Sequence, residues 1–250
     1  MTNKYIYFIA NWKMYGDLKS INTLDKVIKF SKSNKNIKFK LIYCPPYTLL
    51  SSFSSKFKKT NIDVGAQNCH EHETYGAFTG SVNSKMLKDA GANFIIIGHS
   101  ENRVQGETNL LINKKIKDAL KNKLKIIFCI GETLYEKKNK KTHKILTNQI
   151  LLGLKNIKKI SNVIIAYEPV WSIGTGLVPN SSDLLNNINF IKSFIKTRFK
   201  YKSPKVVYGG SVNPKNINDL KDINDIDGFL IGGASQDSKK FIDIVKKTFI

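Results

Sequence analysis

The chain has 250 residues, of which 41% are hydrophobic and 24% charged, so it can bury a full core and does not have the composition of a disordered protein. Its formal net charge is +22, but all but two of its 41 basic residues are lysine. Arginine is the residue preferred for bidentate recognition of bases and phosphates, and only Arg103 and Arg198 are present. The lysines are spread along the whole chain, which favours a composition bias over nucleic-acid binding.

No segment approaches the roughly 20 apolar residues that are needed to cross a bilayer. The apolar run 5–10 near the N-terminus is too short for the hydrophobic region of a secretory signal. Cys44, Cys69 and Cys129 form a sparse, odd-numbered set, which is typical of a reduced protein rather than a disulfide framework. We therefore expect a cytoplasmic protein without membrane contact.

Eight short apolar runs, many rich in β-branched residues, predict eight buried strands. In chain order they are YIYFIA from Tyr5, FKLIYC from Phe39, IDVGAQ from Ile62, FIIIG from Phe94, KIIFCIG from Lys125, VIIAYE from Val163, KVVYGG from Lys205 and GFLIGG from Gly228. Lysine-rich stretches with helical spacing lie between them, for example the one with apolar residues at Leu110, Ile112, Ile116, Ala119 and Leu120.

Alternating buried strands and amphipathic helices predict an α/β protein with a parallel sheet covered on its outside. Eight such units without a linker favour a closed (β/α)8 barrel, known as a TIM barrel, that occupies residues 1–250 as a single domain. The pattern alone also allows an open, doubly wound sheet. That alternative is less favoured, because no strand leads into a G-x-G-x-x-G turn.

In such a barrel the active site forms at the carboxyl ends of the strands. Polar or glycine residues directly follow five of the predicted strands. They are Asn11 and Lys13, His99 and Glu101, Glu168, Gly209 to Ser211, and Gly232 to Ser235. The glycine turns after the last two strands are suited to hold a phosphate through backbone N–H groups.

The segment AYEPVWSIGTG, residues 166–176, places an acid at a strand end ahead of a glycine-rich loop. Pro169 favours an extended backbone at Glu168, and Gly174 and Gly176 permit backbone angles that other residues avoid. The segment therefore predicts a carboxylate on a rigid strand end beside a mobile lid. The alternative is a solvated acid that enters an ordinary surface loop.

Together these segments resemble the triosephosphate isomerase family along essentially the whole chain. The segments that carry the resemblance are ANWKM (10–14), GAQNC with GAFTG (65–69 and 76–80), GHSENR (98–103), CIGETL (129–134), AYEPVWSIGTG (166–176), YGGSV (208–212) and DGFLIGGAS (227–235). Each is weak alone, but all of them in this order, with barrel spacing, form a specific pattern.

The resemblance implies that dihydroxyacetone phosphate and D-glyceraldehyde 3-phosphate are interconverted through an enediolate, as in glycolysis and gluconeogenesis. Glu168 would be the base that moves the proton between the two carbon atoms. His99, as a neutral imidazole, and Lys13 would stabilise the enediolate oxygens. Asn11 would orient Lys13 and the substrate, and Glu101 would support the site or only pair with Lys13.

The resemblance also assigns phosphate binding to main-chain donors at Gly174, Ser211, Gly232 and Gly233. Because side chains supply both the base and the charge stabilisation, no metal or organic cofactor is expected. The segment CHEH, residues 69–72, invites a metal-site reading, but its ligands are crowded and have no distant partner pair.

A homodimer is the further implication, with Thr79 close to Asn11 and Lys13 of the partner subunit. The family commonly has an acid where Ser81 stands and an arginine where Asn102 stands, and these two pair across its interface. Since both are uncharged here, we expect a dimer that is less sensitive to salt. Ser172 and Pro179 also depart from the usual pattern, and we expect them to alter the motion of the lid.

Two other functions remain open from the residues. One is a different barrel enzyme that acts on phosphorylated substrates, which would keep the glycine turns but not the combination of Asn11, Lys13, His99 and Glu168. The other is a basic protein that binds polyanions and uses the barrel only as a scaffold.

Overall fold

The computed structural model describes residues 5–249 and contains a closed barrel of eight parallel strands. The strands are β1 (Ile6–Asn11), β2 (Phe39–Cys44), β3 (Asp63–Ala66), β4 (Phe94–Ile97), β5 (Lys125–Ile130), β6 (Val163–Tyr167), β7 (Lys205–Tyr208) and β8 (Gly228–Ile231). Each strand pairs with the next, and β8 closes the barrel by pairing with β1. All eight predicted strands are confirmed, and the open-sheet alternative is wrong.

Ten α-helices are found in residues 5–249. They are α1 (Leu24–Ser33), α2 (Leu50–Phe57), α3 (Ser84–Asp89), α4 (Ser100–Val104), α5 (Asn109–Lys121), α6 (Leu134–Lys138), α7 (Thr142–Gly153), α8 (Ser181–Phe199), α9 (Ile217–Lys221) and α10 (Ser238–Phe249). Several begin at a side chain that accepts a hydrogen bond from the first turn. Examples are Asn83 at α3, Thr108 at α5 and Asn180 at α8.

The core has two layers because alternate residues of each strand point to opposite sides of the sheet. Residues such as Ile9, Ile96 and Leu230 belong to one buried cluster, made up almost entirely of strand residues. Their strand neighbours belong to a second cluster that also contains the buried faces of the helices. Both faces of the strands are therefore buried, which is why each strand reads as a continuous apolar run.

Helix α5 shows where the predicted helical pattern needs correction. Ile112, Ile116 and Ala119 are fully buried, but Leu110 is 62% exposed. Each residue of an α-helix advances about 100°, so Leu110 lies almost opposite Ile112. Its side chain therefore points away from the barrel and does not belong to the buried face.

Two further sequence observations have structural counterparts. Cys44, Cys69 and Cys129 are all free and buried. Within residues 5–249, no helix combines the length and the apolar character that a membrane crossing requires.

Gly131 lies directly after β5, where the chain approaches the end of β6. Its N–H donates to Gln149 Oε1 at 2.9 Å, and Gln149 Nε2 donates back to the Gly131 carbonyl at 3.0 Å. A Cβ atom at position 131 would lie 1.8 Å from the carbonyl oxygen of Glu168. The two strand ends can keep this spacing only if residue 131 has no side chain.

We predict that Gly131→Ala lowers the melting temperature by about 6–12 °C, because the overpacking costs about 3 kcal/mol. The control is Gly233→Ala, since no protein atom lies within 4 Å of the Cβ position there. Thermal unfolding followed by circular dichroism measures both variants. Equal melting temperatures for the two would contradict the prediction.

Candidate functional site

A cavity of about 330 Å³ opens at the carboxyl end of the barrel. It is lined by eight of the ten residues that the sequence singles out: Asn11, Lys13, His99, Glu168, Gly174, Ser211, Gly232 and Gly233. Closure of the barrel brings them together, although they are distributed over most of the chain. The remaining two, Glu101 and Thr79, do not line the cavity.

Glu168 follows β6 and is 2% exposed, so the alternative of a solvated surface acid is wrong. Its Oε1 lies 3.4 Å from His99 Nε2. Its other carboxylate oxygen, Oε2, is buried and has no hydrogen-bond partner among the described residues. Burial raises the pKa of Glu168, although His99 and Lys13 act in the opposite direction.

The surrounding backbone anchors the main chain of Glu168 and leaves room for its side chain. Its N–H donates to the Ile130 carbonyl at 2.8 Å, which ties it to the end of β5. A Cβ atom at Gly209 would lie 2.7 Å from Glu168 Cγ and 3.1 Å from its Oε1. The first glycine of the turn after β7 therefore makes space for the carboxylate.

His99 is the N-cap of α4, as expected for a residue that opens a helix. Its Nδ1 accepts a hydrogen bond from the Glu101 N–H at 3.3 Å. A ring nitrogen that accepts carries no proton, so a neutral His99 holds its proton on Nε2. That nitrogen faces Glu168, and the imidazole can act as a donor there.

Lys13 adopts the left-handed backbone conformation, with φ of 55°. Such backbone is costly for a residue other than glycine and persists where neighbouring contacts impose it. Here the Lys13 N–H donates to Asn11 Oδ1 at 3.1 Å, and Gln67 Nε2 donates to the Lys13 carbonyl at 2.8 Å. Lys13 Nζ also forms an ion pair with Glu101. These contacts fix the direction in which the ammonium group points.

The opposite wall of the cavity consists of the loops after β7 and β8. A 3-10 helix, Gly233–Ser235, follows β8 and is fastened to the loop after β1. Trp12 Nε1 donates to the Ser235 carbonyl at 3.1 Å, and Gln236 Nε2 donates to the Trp12 carbonyl at 3.2 Å. Gly232 and Lys13 are therefore held on neighbouring loops.

The lid segment, residues 170–177, begins with the 3-10 helix Val170–Ser172. Residues 174–177 are exposed. Gly174 and Gly176 have φ of 70° and 79°, which explains the need for glycine at both positions. Trp171 also makes a polar contact, since its Nε1 donates to Glu132 Oε1 at 3.0 Å. Its role in the lid segment is therefore more than apolar packing.

Glu132 is a residue of this region to which the sequence assigned no role. It is 1% exposed, and burial raises its pKa. Tyr167 donates to its Oε2 at 3.1 Å, so it joins the lid to the end of β6. Its place in the segment CIGETL, directly after a buried strand, is a signal that could have identified it.

Arg103 is the second residue to which no role was assigned. Its Nε donates to the Gly98 carbonyl at 2.7 Å, and its two terminal nitrogens donate to Asn109 Oδ1 at 2.7 Å and to the Cys129 carbonyl at 3.0 Å. It thereby connects the end of β4, the start of α5 and β5 beneath His99. Its rarity is a signal, because an arginine among so many lysines indicates a need for its planar geometry.

Three further cavity residues were also missed: Tyr15, Asn213 and Gln236.

The segment CHEH lies in the loop after β3. His70 and His72 both pack against Phe78, with ring centroids 4.5 and 4.7 Å apart. His72 Nδ1 is 2.9 Å from the Thr74 carbonyl. No group of three or more His, Cys, Asp or Glu side chains with metal-site geometry occurs in residues 5–249.

We predict that Glu168→Gln raises the melting temperature at neutral pH by a few degrees, because it removes a buried carboxylate with an unpaired oxygen. A raised pKa means that the folded chain holds the proton more tightly than the unfolded chain. The stability linked to Glu168 is therefore present below the ordinary value of 4.5 and is lost as the pH rises through the raised value.

The gain from Glu168→Gln should consequently shrink as the pH falls through the raised pKa of Glu168 toward 4.5, and level off below 4.5. The control is Glu73→Gln, since the Glu73 side chain is 50% exposed. Thermal unfolding of the three proteins at several pH values measures the effect. A gain that is independent of pH, or that is equal for the control, would contradict the prediction.

Comparison with known proteins agrees with this geometry. A sequence model of the family described as triosephosphate isomerase matches residues 6–248. The triosephosphate isomerase of Yarrowia lipolytica is 42% identical over 243 residues, which cover 96% of this chain and 97% of the relative. That of Thermodesulfovibrio yellowstonii is 40% identical over 250 residues, which cover 98% and 100%.

Among solved structures, the crystal structure of triosephosphate isomerase from Bartonella henselae matches with a TM-score of 0.89. The two chains are 35% identical, and the match covers 100% of both. The barrel, the grouping of polar side chains at its carboxyl end and the full-length sequence matches all lead to one assignment. The chain belongs to the triosephosphate isomerase family.

Proposed function

We propose that this protein is a triosephosphate isomerase, which interconverts dihydroxyacetone phosphate and D-glyceraldehyde 3-phosphate by proton transfer. The observation that carries the proposal is the buried Glu168 carboxylate, 3.4 Å from His99 Nε2 in a cavity that Lys13 also lines. A base, a neutral donor and a cation around one cavity are the groups needed to form an enediolate.

Glu168 is the proposed base. A carbon-bound proton next to a carbonyl is a very weak acid, so its removal requires a base that is stronger than an ordinary carboxylate. Burial raises the pKa of Glu168 and thus makes its deprotonated form a stronger base. The oxygen without a hydrogen-bond partner, Oε2, is free to take the proton from one substrate carbon and return it to the next.

His99 and Lys13 are the proposed stabilisers of the enediolate oxygens. With Nδ1 occupied by the Glu101 N–H, the proton on His99 Nε2 is available to one oxygen. The ammonium of Lys13, which also lines the cavity, supplies a positive charge. Asn11 holds the backbone of Lys13, and Glu101 positions both residues from outside the cavity.

The substrate phosphate is proposed to bind main-chain N–H groups of Gly174, Ser211, Gly232 and Gly233. No protein atom lies within 4 Å of a Cβ position at Gly174 or Gly233. Gly174 has a positive φ, but neither packing nor φ requires a glycine at position 233. Close approach of an anion to the backbone is the reason we propose for glycine there. Proton transfer by these residues involves no metal or organic cofactor.

We propose a homodimer as the functional assembly. Large apolar side chains are exposed in the isolated chain around the site, in the loops after β1 and β3 and at α4. They include Met14 (93%), Tyr75 (67%), Phe78 (43%) and Val104 (84%). Exposed apolar patches of this kind are typical of interfaces. Thr79 is exposed beside Phe78, and we propose that it approaches Asn11 and Lys13 of the partner subunit.

We further propose that residues 1–250 act as one catalytic domain in the cytoplasm. The match of one family model to residues 6–248 supports a single unit. The three free, buried cysteines fit a reducing compartment.

Glu168→Asp is the test of the proposed reaction. The shorter side chain withdraws the carboxylate by one methylene, and we expect kcat to fall about 100-fold. Binding of inorganic phosphate should be nearly unchanged, because the proposed phosphate contacts lie on other loops. A coupled dehydrogenase assay and calorimetric titration measure the two quantities.

Glu136→Asp on α6 is the matched control, since Glu136 does not line the cavity. Unchanged turnover in Glu168→Asp, or no isomerase activity in the wild type, would overturn the proposal. Strong salt-dependent binding to DNA together with such a result would favour the polyanion-binding alternative.

Sedimentation velocity tests the assembly. We expect a dimer at micromolar concentration that persists at high salt, because Ser81 and Asn102 carry no charge. Val104→Lys should dissociate it by burying an unpaired ammonium, whereas Tyr135→Lys on α6 should not. A wild-type protein that is mainly monomeric, or equal behaviour of the two variants, would contradict the expectation.

A further inference from the structure

Ser172, at the end of the first turn of the lid segment, is fully buried although residues 174–177 of the segment are exposed. Its hydroxyl contacts three different parts of the chain. Oγ lies 2.6 Å from the Leu177 carbonyl, 2.9 Å from the Tyr208 hydroxyl and 3.4 Å from the Ser211 nitrogen. One oxygen atom thus connects the two ends of the lid with β7 and with the turn that follows β7.

These three contacts use the full hydrogen-bonding capacity of a serine hydroxyl, which has one proton and two lone pairs. The Ser172 proton goes to the Leu177 carbonyl, which can only accept. The Tyr208 hydroxyl must then donate to Oγ, and the Ser211 N–H donates to it as well. Every donor direction is therefore determined by the groups involved.

Gly210 provides the space for this arrangement. A Cβ atom at position 210 would lie 2.6 Å from Ser172 Oγ and 2.2 Å from the Tyr208 hydroxyl. The second glycine of the turn after β7 therefore lets the lid hydroxyl reach Ser211.

The Ser211 N–H is one of the groups proposed above to bind the substrate phosphate. We infer that Ser172 is a positioning residue of the lid, whose hydroxyl competes with phosphate for the Ser211 N–H. This inference rests on the proposed function, because it requires an anion at Ser211. Without ligand, Ser172 holds the lid in the position described. When phosphate arrives, its oxygen takes over the Ser211 N–H, and the lid loses one of the contacts that hold it there.

The distances indicate that this exchange is favourable. The bond from Ser211 is the longest of the three and is therefore the weakest. A phosphate oxygen carries charge, and charge-assisted hydrogen bonds are roughly twice as strong as neutral ones. When phosphate replaces Ser172 Oγ as the acceptor of the Ser211 N–H, binding of phosphate and release of the lid become linked. No residue other than Ser172 and Ser211 is needed for this link.

The test compares Ser172→Ala with Thr175→Val, which removes a hydroxyl from the same lid. Thr175 Oγ1 accepts from Leu177 N at 3.2 Å and donates to the Trp171 carbonyl at 3.1 Å, so both its bonds stay within the lid. Calorimetric titration with inorganic phosphate gives the affinity. We expect Ser172→Ala to bind phosphate about three- to tenfold more tightly than the wild type, and Thr175→Val to bind it as the wild type does.

Steady-state kinetics provide a readout that a purely structural role would not change. Ser172 contacts the Ser211 N–H but none of the proposed reacting groups, so we expect KM to fall by about the same factor in Ser172→Ala while kcat stays nearly constant. Equal phosphate affinity and KM in Ser172→Ala and wild type, or the same change in Thr175→Val, would overturn the inference. Wild-type protein that binds no phosphate would overturn the proposed function as well.

A second measurement needs no variant at position 172 and so does not depend on how that variant folds. In the 15N-labelled wild type, titration with phosphate should shift the amide signals of Ser211 and Val178 with one common midpoint, because the Val178 N–H belongs to the same peptide group as the Leu177 carbonyl. A shift at Ser211 without any shift at Val178 would contradict the link between the two sites.

Discussion

Closure of the barrel places a carboxylate where it is almost completely buried, and much of the site compensates for that burial. Glu168 is held by the backbone of β5, has room because Gly209 lacks a side chain, and faces the imidazole of His99. Its pKa rises because the charged form is poorly solvated. Burial of Glu168 lowers the stability of the folded chain, and it also makes the carboxylate a stronger base. The same burial is therefore unfavourable for folding and favourable for the proposed reaction.

The side chains next to the buried carboxylate of Glu168 are held in place by their own neighbours. His99 can donate from Nε2 because its Nδ1 accepts a hydrogen bond from the Glu101 N–H at the start of α4. Lys13 is directed by a strained backbone that Asn11 and Gln67 hold in place. Glu168, His99 and Lys13 follow three different strands, β6, β4 and β1, and the rigid sheet fixes their separation. The lid segment is attached at Glu132 and Ser172.

Much of this could be predicted from the sequence because it depends on local pattern. Buried parallel strands are continuous apolar runs, so all eight were identified, and the strand ends then indicated the side chains of the site. The contacts of Glu132 and Ser172 could not be predicted. Each joins residues about 35 to 39 positions apart through a single pair of atoms, and no periodicity encodes such a pair. Leu110 was misassigned because apolar character does not reveal which face of a helix is buried.

The guanidinium of Arg103 shows where side-chain shape matters in this lysine-rich chain. It donates three hydrogen bonds, to two carbonyls and an amide oxygen. An ammonium group on a lysine stem is a compact point charge and could not span all three acceptors. A lysine at position 103 would keep the formal charge but leave some of these acceptors without a donor, so side-chain shape, rather than charge, is what this position requires.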